Sequence, residues 1–65
     1  MNTGPGPAKL SITIDGKVYE GHWTFQWGTV RVTSAYGAKS AELDGSPADF
    51  VARRLLRELV LAAQQ

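Results

Sequence analysis

The chain has 65 residues, no cysteine, one histidine and a formal net charge of +1. This length allows one domain at most, and a chain this short is only marginally stable unless something staples it. The composition excludes disulfide frameworks and cysteine-based zinc or iron–sulfur sites, and one histidine is too few for most other metal sites. We therefore predict neither a metal nor a cofactor.

The sequence also limits where the protein can be located and which partners it can bind. No apolar run approaches the roughly 18 residues of a membrane span, and the first residues lack the basic start and apolar core of a signal peptide. The absence of cysteine fits a reducing cytoplasm. We expect a cytoplasmic protein without membrane contact, whose near-balanced charge is less basic than is usual for a dedicated nucleic-acid binder.

Residues 1–8 predict a disordered tail, because they contain two prolines and two glycines and show no periodicity. From Lys9 to Ile14 polar and apolar residues alternate strictly, which predicts a half-buried strand. Residues 17–26, after the first turn, are rich in strand-forming side chains. The chain therefore divides into a tail, residues 1–8, and a single domain, residues 9–65.

Three X-Gly dipeptides predict hairpin turns: Asp15-Gly16, Trp27-Gly28 and Tyr36-Gly37. Trp and Tyr fit poorly where φ must be positive, so the second and third turns are expected to be type I with a glycine bulge. Opposed residues share a sheet face, and this register collects the apolar side chains on one face. The predicted pairs are Leu10–Gly21, Ile12–Tyr19, Trp23–Val32, Phe25–Val30, Val32–Ala41, Val30–Leu43 and, on the polar face, the ion pair Arg31–Glu42.

Residues 46–65 predict an amphipathic helix. Ser46 is placed to cap it by accepting from the amide of Asp49, with Pro47 at the first helical position. At about 100° per residue one broad apolar stripe predicts the core-facing side. The stripe consists of Ala48, Val51, Ala52, Leu55, Leu56, Leu59, Ala62 and Ala63. We predict an α+β fold, a three- to four-stranded antiparallel meander covered on one face by this single C-terminal helix.

Two stretches resemble known proteins. VTSAYGAKSAEL, from Val32 to Leu43, and ARRLLREL, from Ala52 to Leu59, resemble short uncharacterised bacterial proteins. Those proteins share a Tyr-Gly turn, a following Lys-Ser or Lys-Thr and a C-terminal Leu-Leu-Arg-Glu-Leu helix. The resemblance implies a common fold and no particular activity. The predicted topology is also similar to the arm-binding domains of phage integrases, which contact DNA with the sheet face away from the helix.

His22 is the first residue to test for catalysis, which would need a nucleophile or carboxylate held beside it. Its predicted neighbours on the outer sheet face are Lys9, Glu20, Thr24 and Thr33. Glu20 lies about 7 Å along the same strand, on an open surface without a pocket. We interpret His22 as a solvated strand residue and predict no catalytic residue, so the protein is expected not to be an enzyme.

The helix face opposite the apolar stripe carries the candidate interaction surface: Phe50, Arg53, Arg54, Arg57 and Leu61. Asp49 and Glu58 stand four residues from Arg53 and Arg54, at the spacing of helical ion pairs. Lys17 and Lys39, at the ends of the sheet on the helix side, are expected to extend a basic rim. Trp27, at a hairpin tip, adds a further large side chain to the candidate surface.

Two functions remain open for this surface. Apolar residues interleaved with arginine are typical of a protein interface, so we predict a small protein-interaction domain, with a homodimer through the helix face or an edge strand as one form. The alternative is a nucleic-acid-binding module that uses Arg53, Arg54 and Arg57. Isolated exposed apolar residues are also common on surfaces without any partner.

Overall fold

The computed structural model describes residues 8–64 and contains four strands and one helix. In chain order these are β1 (Ala8–Ile14), β2 (Lys17–Gln26), β3 (Thr29–Ser34), β4 (Gly37–Glu42) and α1 (Ala48–Ala63). The strands form one antiparallel sheet in the order β1-β2-β3-β4, and α1 packs on one face of it. The predicted α+β meander is confirmed. The predicted tail, residues 1–8, lies outside the described residues except for Ala8, where β1 begins.

The first two hairpins have the predicted register. Ile12 opposes Tyr19 across the first, and Trp23 opposes Val32 across the second. Both residues of the first turn have positive φ, 53° at Asp15 and 79° at Gly16, which is the type I′ conformation that matches the twist of the strands. Asp and Gly adopt this conformation at little cost, so the turn and the alternation of β1 specify the same pairing.

The second turn differs from the prediction. Trp27 has a φ of 56° and Gly28 one of 74°, so this turn is also type I′ and has no glycine bulge. A positive φ is unusual for a bulky residue and strains the backbone at Trp27. At the third turn the prediction is closer, because Tyr36 keeps a negative φ and the positive value falls on Gly37, at 128°.

The predicted register of β3 and β4 is wrong by two residues. Val32 opposes Lys39 and Val30 opposes Ala41, because the turn consists of Ala35 and Tyr36 rather than Tyr36 and Gly37. Ser34 supports the turn at this earlier position, since its Oγ accepts from the Tyr36 amide at 3.0 Å and donates to the Gly37 carbonyl at 3.2 Å. A shift of two residues preserves the sheet faces, since side chains alternate with a period of two.

The same shift removes the predicted Arg31–Glu42 ion pair. Arg31 opposes Ser40, and Glu42 opposes Thr29. Ala41 and Leu43 nevertheless stay on the helix side and pack against the core.

The helix begins later than predicted, at Ala48, and Ser46 does not cap it. Pro47 is the N-cap residue in an extended conformation (φ −62°, ψ 145°), and no side chain caps the helix start. The Ser46 amide instead donates to the Leu43 carbonyl at 3.0 Å and closes the preceding turn. Ser46 therefore lies one residue too early to reach the free amides of the first helical turn.

The core forms where the middle of α1 meets the central strands. Val60 is fully buried, although the predicted stripe omits it, whereas Ala62 and Ala63 of that stripe are exposed. Gly21 fits a narrow space between β3 and α1, since a Cβ there would lie 2.9 Å from the Thr33 carbonyl oxygen and 3.3 Å from Leu56 Cδ1. The buried side chains of the core are those of Leu10, Tyr19, Val30, Val32, Val51, Ala52, Leu55, Leu56 and Val60.

The end of α1 is held to the sheet by a polar contact. Gln64 Nε2 donates to the Tyr19 hydroxyl at 2.9 Å, and the Tyr19 ring meets Tyr36 edge to face at a centroid distance of 5.6 Å. Within residues 8–64, no helix has the length and apolar character needed to span a bilayer.

Candidate functional site

The predicted surface of α1 is assembled on one side of the helix. Positions 50, 53, 54, 57 and 61 follow the 3.6-residue period, so they share the face opposite the buried stripe. Phe50 is 52% exposed and Leu61 39% exposed, although both are large apolar residues. The three arginines between them are exposed as well.

Four of these residues form one wall of a groove between α1 and β1. The groove has a volume of about 510 Å³ and is lined by Ile12, Thr13, Ile14, Asp15, Phe50, Arg53, Arg54 and Arg57. Ile12 and Ile14 form its apolar floor. They point toward the helix side like the core residue Leu10, yet remain only partly buried. They lie on an edge strand, so no neighbouring strand of residues 8–64 covers them from beyond β1.

The groove carries an excess of positive charge. Arg53 bonds to Asp49 at 3.3 Å, and Arg54 lies 3.8 Å from Glu58, so both predicted helical ion pairs are confirmed. Glu58 is closer to Lys39, at 2.7 Å. Arg57 forms no ion pair with any other residue of the described chain. Three arginines therefore line the groove with one carboxylate, that of Asp15.

The open edge of β1 lies beside this groove. Ile14 and Lys17 flank the two-residue turn and form a hydrogen-bonded pair with each other. Along an antiparallel ladder, hydrogen-bonded pairs alternate with pairs that are not hydrogen-bonded. The even-numbered residues of β1 therefore direct their N–H and C=O groups to β2. The odd-numbered ones direct theirs away from the sheet: Lys9, Ser11 and Thr13.

The remaining residues of the predicted surface lie apart from the groove. Leu61 is further along the same helix face, and Trp27, 91% exposed, is at the tip between β2 and β3. The predicted basic rim forms only in part. Lys39 is paired with Glu58, and Lys17 Nζ lies 5.8 Å from the centroid of the Tyr19 ring.

Sequence reasoning found the arginine-bearing wall and named an edge strand as a possible interface, but it missed the apolar floor and the groove that joins these features. The alternation of polar and apolar residues in β1 predicted that Ile12 and Ile14 face the helix. Nothing in the sequence indicated that the arginine side of α1 lies beside these two residues, because that depends on where the helix crosses the sheet.

His22 lies on the other side of the molecule, on the outer sheet face. Lys9 and Thr33 oppose it across the neighbouring strands, as predicted. The hollow beside it is shallow and is lined by Glu20, Gly21, His22, Thr33, Ser34 and Ala35. No cluster of three metal-ligating side chains occurs among the residues that the structure describes.

Comparison with known proteins gives no further guidance on this site. No protein-family model, no curated protein and no solved structure matches the chain.

Proposed function

We propose that this chain is a small, non-enzymatic protein-interaction domain of the cytoplasm that docks a partner protein in the groove between α1 and β1. The observation that carries this proposal is the combination in one groove of an apolar floor, an arginine-rich wall and an open strand edge. The resemblance to short uncharacterised bacterial proteins is part of this proposal, but it implies no particular activity.

The chemistry of the groove supports a protein as the ligand. Interfaces are enriched in arginine and aromatic residues around an apolar centre, and Phe50 with Ile12 supplies such a centre here. Exposed backbone groups along β1 offer a protein chain hydrogen bonds that a compact small molecule uses poorly.

A nucleic acid remains the competing ligand, because arginine also binds phosphate. Two of the three arginines already face carboxylates within α1, which reduces their attraction for a polyanion. The outer sheet face, with Lys9 and Arg31 against Glu20 and Glu42, carries no net charge. Both facts favour a protein ligand that provides a few carboxylates together with apolar side chains.

A selection from a random-peptide display library tests the proposed function. We expect peptides that bind the immobilised chain and lose affinity when Phe50→Ser removes the apolar centre of the groove. Val18→Ser is the matched control, since Val18 is similarly exposed, at 60%, on the outer sheet face. Peptides that lose affinity equally with both variants, or a selection without enrichment, would contradict the proposal.

A further inference from the structure

We propose that β1 accepts an extended acidic segment of a partner protein as a fifth strand, whose helix-facing side chains fill the groove. The inference rests on the proposed function and specifies both the mode of binding and the chemistry of the ligand. It follows from three features: the unprotected edge of β1, the position of the groove next to that edge, and the charge of the groove wall.

β1 lacks most of the devices that protect strand edges. Natural edges are usually blunted by charged residues, proline, bulges or very short strands. β1 pairs with β2 without a bulge over all seven residues and contains one charged residue, Lys9. The opposite edge, β4, carries Lys39 and Glu42 and begins at Gly37, whose positive φ distorts the strand end.

The groove occupies the place where the side chains of an added strand would point. Neighbouring strands lie about 4.8 Å apart, and opposed residues share a sheet face. Alternate side chains of a fifth strand would therefore lie next to Ile12 and Ile14 and below Phe50. The other side chains would continue the outer face beside Ser11 and Thr13. Main-chain hydrogen bonds to β1 would supply affinity, and the groove would supply selectivity.

The charge of the groove wall identifies an acidic partner. Helix-facing carboxylates of the added strand would approach Arg53, Arg54 and Arg57, of which Arg57 has no ion-pair partner in the described chain. A second copy of this chain fits less well. Antiparallel pairing of two β1 strands places both helices on one sheet face, so two arginine walls meet across the new strand pair. Like charges brought together in this way oppose association.

The probe for this proposal is a synthetic peptide as long as β1, with both ends blocked, in which threonines alternate with one valine and two glutamates. We expect saturable binding to the ¹⁵N-labelled chain below about 1 mM, a free energy near −4 kcal/mol. The same peptide with lysines in place of glutamates should bind at least tenfold more weakly. Equal binding of both peptides would overturn the acidic specificity.

Amide signals report strand addition directly. The outward N–H groups of Lys9, Ser11 and Thr13 should shift on binding, and their hydrogen exchange should slow several-fold as they become hydrogen-bonded. Ser40 on β4 provides the control, because its N–H also points away from the sheet. The Leu43 amide donates to the Gly28 carbonyl at 3.1 Å, so odd-numbered residues of β4 bond to β3 and even-numbered ones point outward. Unchanged exchange at Ser11 and Thr13 under saturating peptide would overturn the proposal.

Two N-methylated peptides separate strand pairing from simple charge attraction. One carries N-methyl groups on the threonines, the other on the intervening residues. A strand directs only alternate N–H groups at its neighbour. One of the two peptides should therefore lose at least tenfold in affinity, and the other should bind like the parent. Equal binding of the two N-methylated peptides would overturn strand addition. The proposed function would still hold in that case if peptides from the display selection depended on the groove.

Variants of the chain test the same contacts from the protein side. Thr13→Pro removes an outward N–H and blocks the edge of β1, so it should abolish peptide binding. Edge strands tolerate proline, so the sheet should still form. Ser40→Pro, at the equivalent position of β4, should leave it unchanged. Arg57→Glu should weaken binding about tenfold, whereas Arg31→Glu makes the same charge change on the outer face and should not. Equal effects within either pair would count against the proposal.

Two competing outcomes would replace the proposal rather than refine it. Short single-stranded DNA or RNA that shifts the groove signals at lower concentration than the peptide would identify a nucleic-acid site. A stable dimer whose formation protects the Ser11 and Thr13 amides would identify a second copy of the chain as the occupant of the edge.

Discussion

Trp27 has an unusual backbone for its residue type. It occupies the first position of a type I′ turn with a φ of 56°, and its side chain is 91% exposed, so it gains little from burial. Asn and Asp reach this conformation more easily than aromatic residues because their short polar side chains interact with the local backbone. The sheet holds the strained turn in place through the pairing of β2 with β3.

Replacing Trp27 by Asn should therefore stabilise the fold. We expect the free energy of unfolding to rise by about 1 kcal/mol, the lower end of what a strained backbone position costs. Urea denaturation followed by circular dichroism measures the change. Trp27→Ala is the control, because it removes the ring without relieving the backbone, and should change stability by less than about 0.5 kcal/mol. A loss of stability in Trp27→Asn would show that the indole makes stabilising contacts.

Gly21 is required for close packing rather than for a turn. It is buried between β1 and β3 beneath Leu56, and a Cβ there would approach a backbone oxygen to 2.9 Å. Backbone cannot yield as a flexible side chain does. Gly21→Ala should cost about 1–3 kcal/mol through overpacking and should lower the thermal midpoint measured by calorimetry. An unchanged midpoint would mean that β3 and α1 can both move away from position 21 without cost.

At the scale of elements, α1 has two faces with different roles. Leu56 is fully buried against the sheet, whereas Leu61 is 39% exposed on the face of the arginines. The helix start has no side-chain cap, and the two ion pairs within α1 are exposed and therefore weak. Packing of the buried face therefore holds α1 in place.

Truncation of these two leucines should separate the faces. Leu56→Ala should cost about 2–5 kcal/mol, which is a large part of the few kcal/mol expected for so small a domain. Leu61→Ala should cost less than about 0.5 kcal/mol. Denaturant titration of both variants checks the difference. A comparable cost at Leu61 would mean that this residue belongs to the core or to an interface between copies.

At the scale of the whole molecule, charge and shape separate two kinds of surface. The outer sheet face carries balanced charge, whereas the groove beside β1 is positive over an apolar floor. The core of the described residues is built from apolar side chains and Tyr19, whose hydroxyl accepts a hydrogen bond from Gln64. The selectivity that we propose for a protein partner is therefore assigned to the groove and the strand edge.

Repulsion between arginine walls should keep the chain monomeric at low ionic strength. Light scattering on a sizing column at about 0.01 M salt, where the Debye length is near 30 Å, should give the mass of one chain. At about 1 M salt screening reduces that length to near 3 Å, so any self-association should appear there first. A dimer that is most stable at low salt would contradict this account and favour an interface built on opposite charges.

The first two hairpins were predictable because the information is local. The Asp15-Gly16 turn and the alternation of β1 specify one register, and a slip of one residue would expose every apolar side chain. The register of β3 and β4 was not predictable in the same way, because a shift of two residues keeps Ala41 and Leu43 on the correct face. The hydrogen bonds of Ser34, which alternation does not reveal, favour the turn at Ala35 and Tyr36.

By itself, the sequence determined the α+β meander, the sheet faces and the shared helix face of Phe50 and the arginines. Turn chemistry and periodicity act between near neighbours in the chain, so these features can be deduced without coordinates. Only the tertiary structure decided that the arginine wall stands beside the open edge of β1 and encloses an apolar groove. That arrangement depends on the path of α1 across the sheet, which is set by long-range packing such as that of Leu56 over Gly21.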